Sequence, residues 1–168
     1  MNVTIIFGST LGNTERVADM IEKEFSGDVV NKINIKDITN EQLESLASSN
    51  LIIFGTSTWG VGDMQDDWDS FDFKKLSIEN KVVAIYGLGD SEVYAWTYCD
   101  AISKMHRHLK MKKAKIIGYV PTSDYKFTQS ESVEDDHFLG LALDEDNYED
   151  LTPGRVQKWV AQLKESFK

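Results

Sequence analysis

Residues 2–15 read NVTIIFGSTLGNTE. An apolar run, Val3–Phe7, has the length of one strand. Gly8, Ser9 and Thr10 follow at once, then Gly12, Asn13 and Thr14. From there Val17, Ala18, Met20, Ile21 and Phe25 recur at helical spacing. The stretch from Phe7 to Glu15 contains no lysine or arginine. A helix that starts near Asn13 presents unpaired N–H groups and the positive end of its dipole. An anion placed there gains hydrogen bonds without a charged side chain. The hydroxyls of Ser9, Thr10 and Thr14 and the amide of Asn13 add donors, and Gly8 and Gly12 allow close backbone approach. Ser9, Thr10, Leu11, Gly12, Asn13 and Thr14 therefore form a candidate cradle for one phosphate group. It is not a nucleoside triphosphatase loop, being one residue short and carrying Asn13 where that motif needs lysine, and it lacks the three-glycine dinucleotide fingerprint. Taken alone, the loop reads equally as a capped helix start after a tight turn.

The strand–loop–helix pattern continues outward. Val29–Ile35 alternates apolar and polar residues, and 39–48 has helical character. LIIFGT (51–56) and VVAIYGLG (82–89) are continuous apolar strands. Tyr94–Leu109 reads as a helix with Cys99, Ile102, Met105 and Leu109 on one face. AKIIGY (114–119) is another strand, followed by polar, mostly aperiodic sequence to about residue 137 and then by FLGLALDED. Thr152–Phe167 closes the chain, with Thr152 as cap, Pro153 at the first helical position and an apolar stripe of Val156, Trp159, Val160, Leu163 and Phe167. Strands apolar on both faces, alternating with amphipathic helices, imply an α/β fold with a parallel sheet covered on both sides. Ligands of such sheets sit at the carboxyl ends of the strands.

A chain of 168 residues fits one domain, 1–168, with a substantial core. The formal net charge of −10 argues against nucleic acid and against anionic membranes, and suits a basic protein partner. The single Cys99 cannot form an internal disulfide, which suits a reducing cytoplasm. No signal peptide is expected, and no apolar run approaches the roughly 20 residues a membrane helix needs.

The loops after the third and fourth strands change the weight of the first. In GTSTWGVGDMQDDW (55–68), Trp59 stands among Thr56, Ser57, Thr58, Gly60 and Gly62, a setting with few packing neighbours. In GLGDSEVY (87–94), Tyr94 supplies a second aromatic plate. Two plates and a phosphate cradle describe a planar ring on a short phosphorylated chain, and flavin mononucleotide (FMN) fits that description.

GSTLGNTE, TSTWGVGDMQDDW, GLGDSEVYAWTYCDA and FLGLALDEDNYEDLT, in this order and spacing, resemble the flavodoxins over essentially the whole chain. The resemblance implies a doubly wound five-stranded parallel sheet of order 2-1-3-4-5, helices on both faces and FMN at the switch point. The polar stretch at about 120–138 is similar to the loop that splits the last strand in long-chain members. Carried over by position, Ser9–Thr14 hold the phosphate. Thr56, Ser57, Thr58, Trp59, Gly60, Val61 and Gly62 form the loop on one side of the ring, with Trp59 stacked and Gly60 facing N5. Leu88, Gly89 and Asp90 meet the pyrimidine edge, and Tyr94 stacks on the other face. Thr97 and Cys99 lie near the ring, and Asp146 near the ribityl hydroxyls. Leu11 departs from a usual threonine, and Asp124 and Asp136 stand where glycines are common.

The implied function is a low-potential one-electron carrier with non-covalent FMN, moving electrons between a flavin-dependent NAD(P)H reductase and acceptor proteins. It is expected to be monomeric and cytoplasmic, with no catalytic acid, base or nucleophile and no metal site. The enzymatic rival on this fold is an NAD(P)H-dependent FMN quinone reductase. A phosphorylation receiver domain needs paired acids after strand one and an acceptor aspartate after strand three, where Gly8-Ser9 and Thr56-Ser57 stand instead. Asp63, Asp66, Asp67, Asp69 and Asp72 read either as a solvated helix start or as an acidic rim that steers a basic partner.

Overall fold

The structure, a computed structural model, describes residues 1–168. Strands β1 (Asn2–Phe7), β2 (Val29–Asn34), β3 (Leu51–Trp59), β4 (Asp63–Met64) and β5 (Val82–Leu88) alternate with helices α1 (Asn13–Glu24), α2 (Asn40–Ser45) and α3 (Asp66–Asp69). Helix α4 (Asp100–Met111) leads to the short strands β6 (Lys115–Ile117), β7 (Val120–Pro121), β8 (Val133–Glu134), β9 (His137–Phe138) and β10 (Leu141–Leu143), and α5 (Thr152–Glu165) ends the chain. The main sheet runs β2-β1-β3-β5-β10, all parallel, with β4 paired antiparallel to the end of β3. No helix is long and apolar enough to cross a membrane.

The edge position beside β5 is shared. β6 pairs with Val82–Ala84 and β10 with Tyr86–Leu88, both parallel. The chain between them makes a separate three-stranded antiparallel sheet, β7-β9-β8. Its hairpin turns on Asp135 and Asp136, at φ 50° and 60°. Two residues at positive φ between antiparallel strands match the right-handed strand twist, and aspartate tolerates that conformation better than most side chains. Asp136 thus meets a demand that glycine usually meets.

Alternation along each strand sends side chains to two cores. Val3, Ile5, Phe7, Leu51, Ile53, Ala84 and Tyr86 face α1 and α5, meeting Val17, Ile21, Phe25, Val156, Trp159 and Leu163. Ile6, Ile52, Phe54, Val83 and Ile85 face the other way, toward Trp68, Ile102, Met105 and Leu109.

Two sequence expectations shift. The helix expected over Tyr94–Leu109 begins only at Asp100, because Cys99 sits at φ 53° and residues 91–99 are turns. Their backbone bonds outward, to the long loop: Ala95 O accepts from Thr128 and Gln129 N–H, and Tyr98 N–H donates to Gln129 O. Thr152 is not the cap of α5. It is already helical, and its buried hydroxyl donates to the Glu145 carboxylate.

Gly55, near the middle of β3, has a structural job. Its carbonyl accepts both the Gly8 N–H (3.1 Å) and the Trp68 indole N–H (2.7 Å). A Cβ on it would overlap the Tyr86 ring, whose hydroxyl reaches across to donate to Thr14 O at 2.8 Å. Gly55→Ala should therefore displace Tyr86 and cost about 1–3 kcal/mol of overpacking, lowering Tm by roughly 3–10 °C. Tyr86→Phe, which loses one hydrogen bond, should cost about 1 kcal/mol. Thermal melts of the two variants check this; an unchanged Gly55→Ala melt contradicts it.

Candidate functional site

The carboxyl ends of β1, β3, β5 and β10 open on one cavity of about 210 Å³. Fifteen residues line it: Ser9, Thr10, Leu11, Asn13 and Thr14 from the first loop; Ser57, Thr58, Trp59 and Gly60 from the second; Leu88, Gly89, Asp90 and Tyr94 from the third; Glu145 and Asp146 from the fourth. Three carry carboxylates, and none is basic.

The first loop is built from unpaired donors. Gly12, at φ 92°, turns the chain into α1, and its N–H is taken by Ser9 Oγ at 3.0 Å. The N–H groups of Ser9, Thr10, Leu11, Asn13, Thr14 and Glu15 have no acceptor in the chain. Such a set at the N-terminus of a 12-residue helix is able to receive an anion. It is pinned from below by the Tyr86 hydroxyl on Thr14 O and from the side by buried Gln65, whose Nε2 donates to Thr10 Oγ1 at 3.2 Å. Leu11 is 80% exposed, so it supplies its backbone and packs on nothing.

Trp59 and Tyr94 are 38% and 49% exposed, unlike the fully buried Trp68 and Trp159. The Trp59 indole N–H donates to Ser57 Oγ at 2.8 Å, which holds the ring over the cavity wall. The turn after it places Gly60 at φ 51°, where an added Cβ would meet nothing within 4 Å.

The third loop is held by carboxylates. Asp90 Oδ1 accepts the N–H groups of Glu92 and Val93 and the Asn147 amide at 2.8–3.0 Å. Burial alone would raise its pKa, but the hydrogen bonds from Val93, Asn147 and Glu92 together outweigh it and hold the carboxyl below the usual range. Asp144, wholly buried, ties Ser91 N–H and Oγ to Asp146 N–H and to Asn147. Asp146 shifts the other way: burial first, then the nearby Asp90 and Asp144 charges, push its pKa up.

Fourteen of the twenty residues nominated from sequence line the cavity, and six do not. Gly12, exposed at the turn into α1, is not part of the lining. Thr56 is fully buried, accepting the Gln65 N–H on its hydroxyl. Val61 points to solvent at the tip of its turn, and Gly62 backs onto Asp100. Thr97 closes the Tyr94 turn through its N–H. Cys99 is fully buried, with Sγ 3.7 Å from the carbonyls of Gly87 and Leu143. Burial pushes its thiol pKa far up, so it is an unreactive packing group. Glu145 is the lining residue the sequence reading missed. Only the DEDN run beside Asp146 hinted at it.

The flavodoxin family model matches residues 5–159. Flavodoxin 1 of Escherichia coli K12 is 40% identical over 166 residues, covering 97% of this chain and 93% of that one. The flavodoxin of Buchnera aphidicola is 42% identical over 164 residues, covering 96% and 94%. A crystal structure of Fusobacterium nucleatum flavodoxin bound to flavin mononucleotide superposes with TM-score 0.89 at 27% identity, covering 99% of both chains.

The lowered pKa of Asp90 gives a pH dependence. A depressed carboxyl contributes stability above its unfolded pKa of about 3.9, and that contribution is lost as pH falls through the lower folded value. Asp90→Asn should destabilise the protein at pH 7 and do so progressively less as the pH is lowered through and below the ordinary carboxylate range. Urea unfolding of both proteins across that range tests it; an equal difference throughout removes the role given to the charge. With that site at the carboxyl edge of this sheet, and with matches that run nearly end to end, the chain belongs to the flavodoxin family.

Proposed function

We propose that this protein is an electron carrier that binds FMN non-covalently in the cavity described above. The observation that carries the reading is the first loop, where Ser9, Thr10, Leu11, Asn13 and Thr14, their N–H groups without acceptors, line one cavity with two exposed aromatic plates. That donor set fits a phosphate monoester, and the paired plates fit a flat ring. When bound, FMN supplies the one-electron chemistry. The chain's own residues bind, orient and exclude water. Ser9–Thr14 hold the phosphate through backbone and hydroxyl donors. Trp59 and Tyr94 flank the ring, and Leu88, Gly89 and Asp90 meet its polar edge. Asp146, exposed at the mouth of the cavity, serves the ribityl chain.

The absence of a basic residue among the lining groups matters for tuning. With Glu145 paired to Arg16, Asp90 and Asp146 leave the wall acidic, and an acidic wall disfavours added negative charge. This supports a low-potential carrier. Asp66, Asp69 and Asp72 are exposed on and after α3, while Asp63 is paired with Lys104 at 2.7 Å. The free members of that group support a redox partner with a basic face, drawn in by long-range attraction.

Apoprotein titrations test the reading. FMN should bind far more tightly than riboflavin, because riboflavin leaves the cradle empty. Equal affinities would remove the role of Ser9–Thr14. Leu11→Thr adds a hydroxyl at an exposed position, so it should leave stability unchanged. A hydrogen bond to a charged group is worth about 1.5–3 kcal/mol, less where water already fills the place. Leu11→Thr should therefore tighten FMN binding by up to roughly tenfold with no change for riboflavin. Weaker FMN binding by this variant contradicts the hydroxyl argument.

A further inference from the structure

Glu145 is the unusual member of a wall that must face a phosphate. Only 8% of the residue is exposed, and both its oxygens are engaged. Oε2 accepts from the Arg16 guanidinium and Oε1 from the Thr152 hydroxyl. Arg16 lies in the first turn of α1, two residues beyond Thr14, and Thr152 opens α5. The carboxylate therefore ties the fourth loop to the starts of two helices, where the dipole ends favour a negative charge. Arg16 is itself half-exposed and forms no other ion pair. It is the cation in sequence nearest to the cradle, and its charge is spent on Glu145.

We propose that Arg16 and Glu145 form a charge-balancing clamp that sets the phosphate affinity of the cradle. This rests on the FMN reading above and concerns the anion end of that site. Arg16 cancels a buried carboxylate that would repel a phosphate dianion. Glu145 in turn holds the guanidinium off the phosphate, so that backbone N–H groups do the binding and the affinity stays moderate. Both are positioning residues, acting through charge on a group that the first loop holds.

The two halves of the clamp make opposite predictions. Arg16→Gln leaves the carboxylate unbalanced beside the cradle. FMN affinity should fall about tenfold or more, with riboflavin affinity changed less than about twofold. Glu145→Gln keeps an acceptor for Thr152 but releases the guanidinium. FMN affinity should rise several-fold, again with little change for riboflavin. The double variant should return toward the parent. Calorimetric titration of apoprotein with FMN, riboflavin and inorganic phosphate, at low and high salt, reads all of this. Phosphate should follow FMN in each variant, and the differences should shrink at high salt. Parallel changes for FMN and riboflavin, or an FMN affinity in Glu145→Gln at or below the parent's, overturn the clamp alone. A parent protein that binds FMN no better than riboflavin overturns the cradle itself, and the clamp with it.

Discussion

The contact on which the site depends is the one at Gly55. In register, Gly55 stands between Phe7 on β1 and Tyr86 on β5. Its missing side chain lets the Tyr86 ring lie across β3 and reach the start of α1, where the hydroxyl holds Thr14 O. Its carbonyl meanwhile fixes Gly8 and Trp68. One residue without a side chain thus ties the first loop to the second core and to α3. The N–H groups of that loop can stay unpaired because their position is enforced from behind. Without such support, a loop with six free donors would fold back to satisfy them.

The chain between β6 and β10 has a comparable role at the opposite wall. Its backbone holds Ala95 and Tyr98. Ser130 Oγ donates to Tyr98 O, and Ser132 Oγ donates to Cys99 O while accepting from Ser103 N–H. These bonds keep residues 91–99 out of the helix and present Tyr94 at the cavity. The ring of Tyr98 anchors the same segment inward against Tyr125, Phe127 and Phe138. This loop acts as a buttress for one aromatic plate.

Electrostatics divide the cavity. At the first loop the positive potential comes from oriented N–H groups and a helix dipole, and Arg16, the cation nearest in sequence, is paired with Glu145. At the ring end the fixed charges are the carboxylates of Asp90 and Asp146; that of Asp90 is ordered by three hydrogen bonds, and the backbone of Asp146 is held by the buried Asp144. A ligand with an anionic tail and a neutral, electron-accepting ring is the shape of charge that such a division favours. The chain as a whole carries the same sign, with a net charge of −10, and Val61, Val93 and Trp96 are exposed on the second and third loops.

Where local order controls the outcome, the amino-acid sequence determined it unaided. Strand-length apolar runs followed by glycine and hydroxyl residues dictated a parallel α/β sheet. The small residues of 8–14 dictated a loop of unpaired donors at a helix start, because that arrangement needs no distant partner. Trp59 and Tyr94 stood out because loops give aromatic rings nothing to pack on. Tertiary structure alone decided what depends on chain neighbours far apart. Glu145 enters the site through Arg16, 129 positions away, and no local pattern records that pairing. The apolar spacing of Cys99 placed it correctly on a buried face, but the long loop, not helical periodicity, sets its backbone. Gly55 read as one more residue of a strand, and only the register that brings Tyr86 beside it shows why a Cβ cannot be accommodated there.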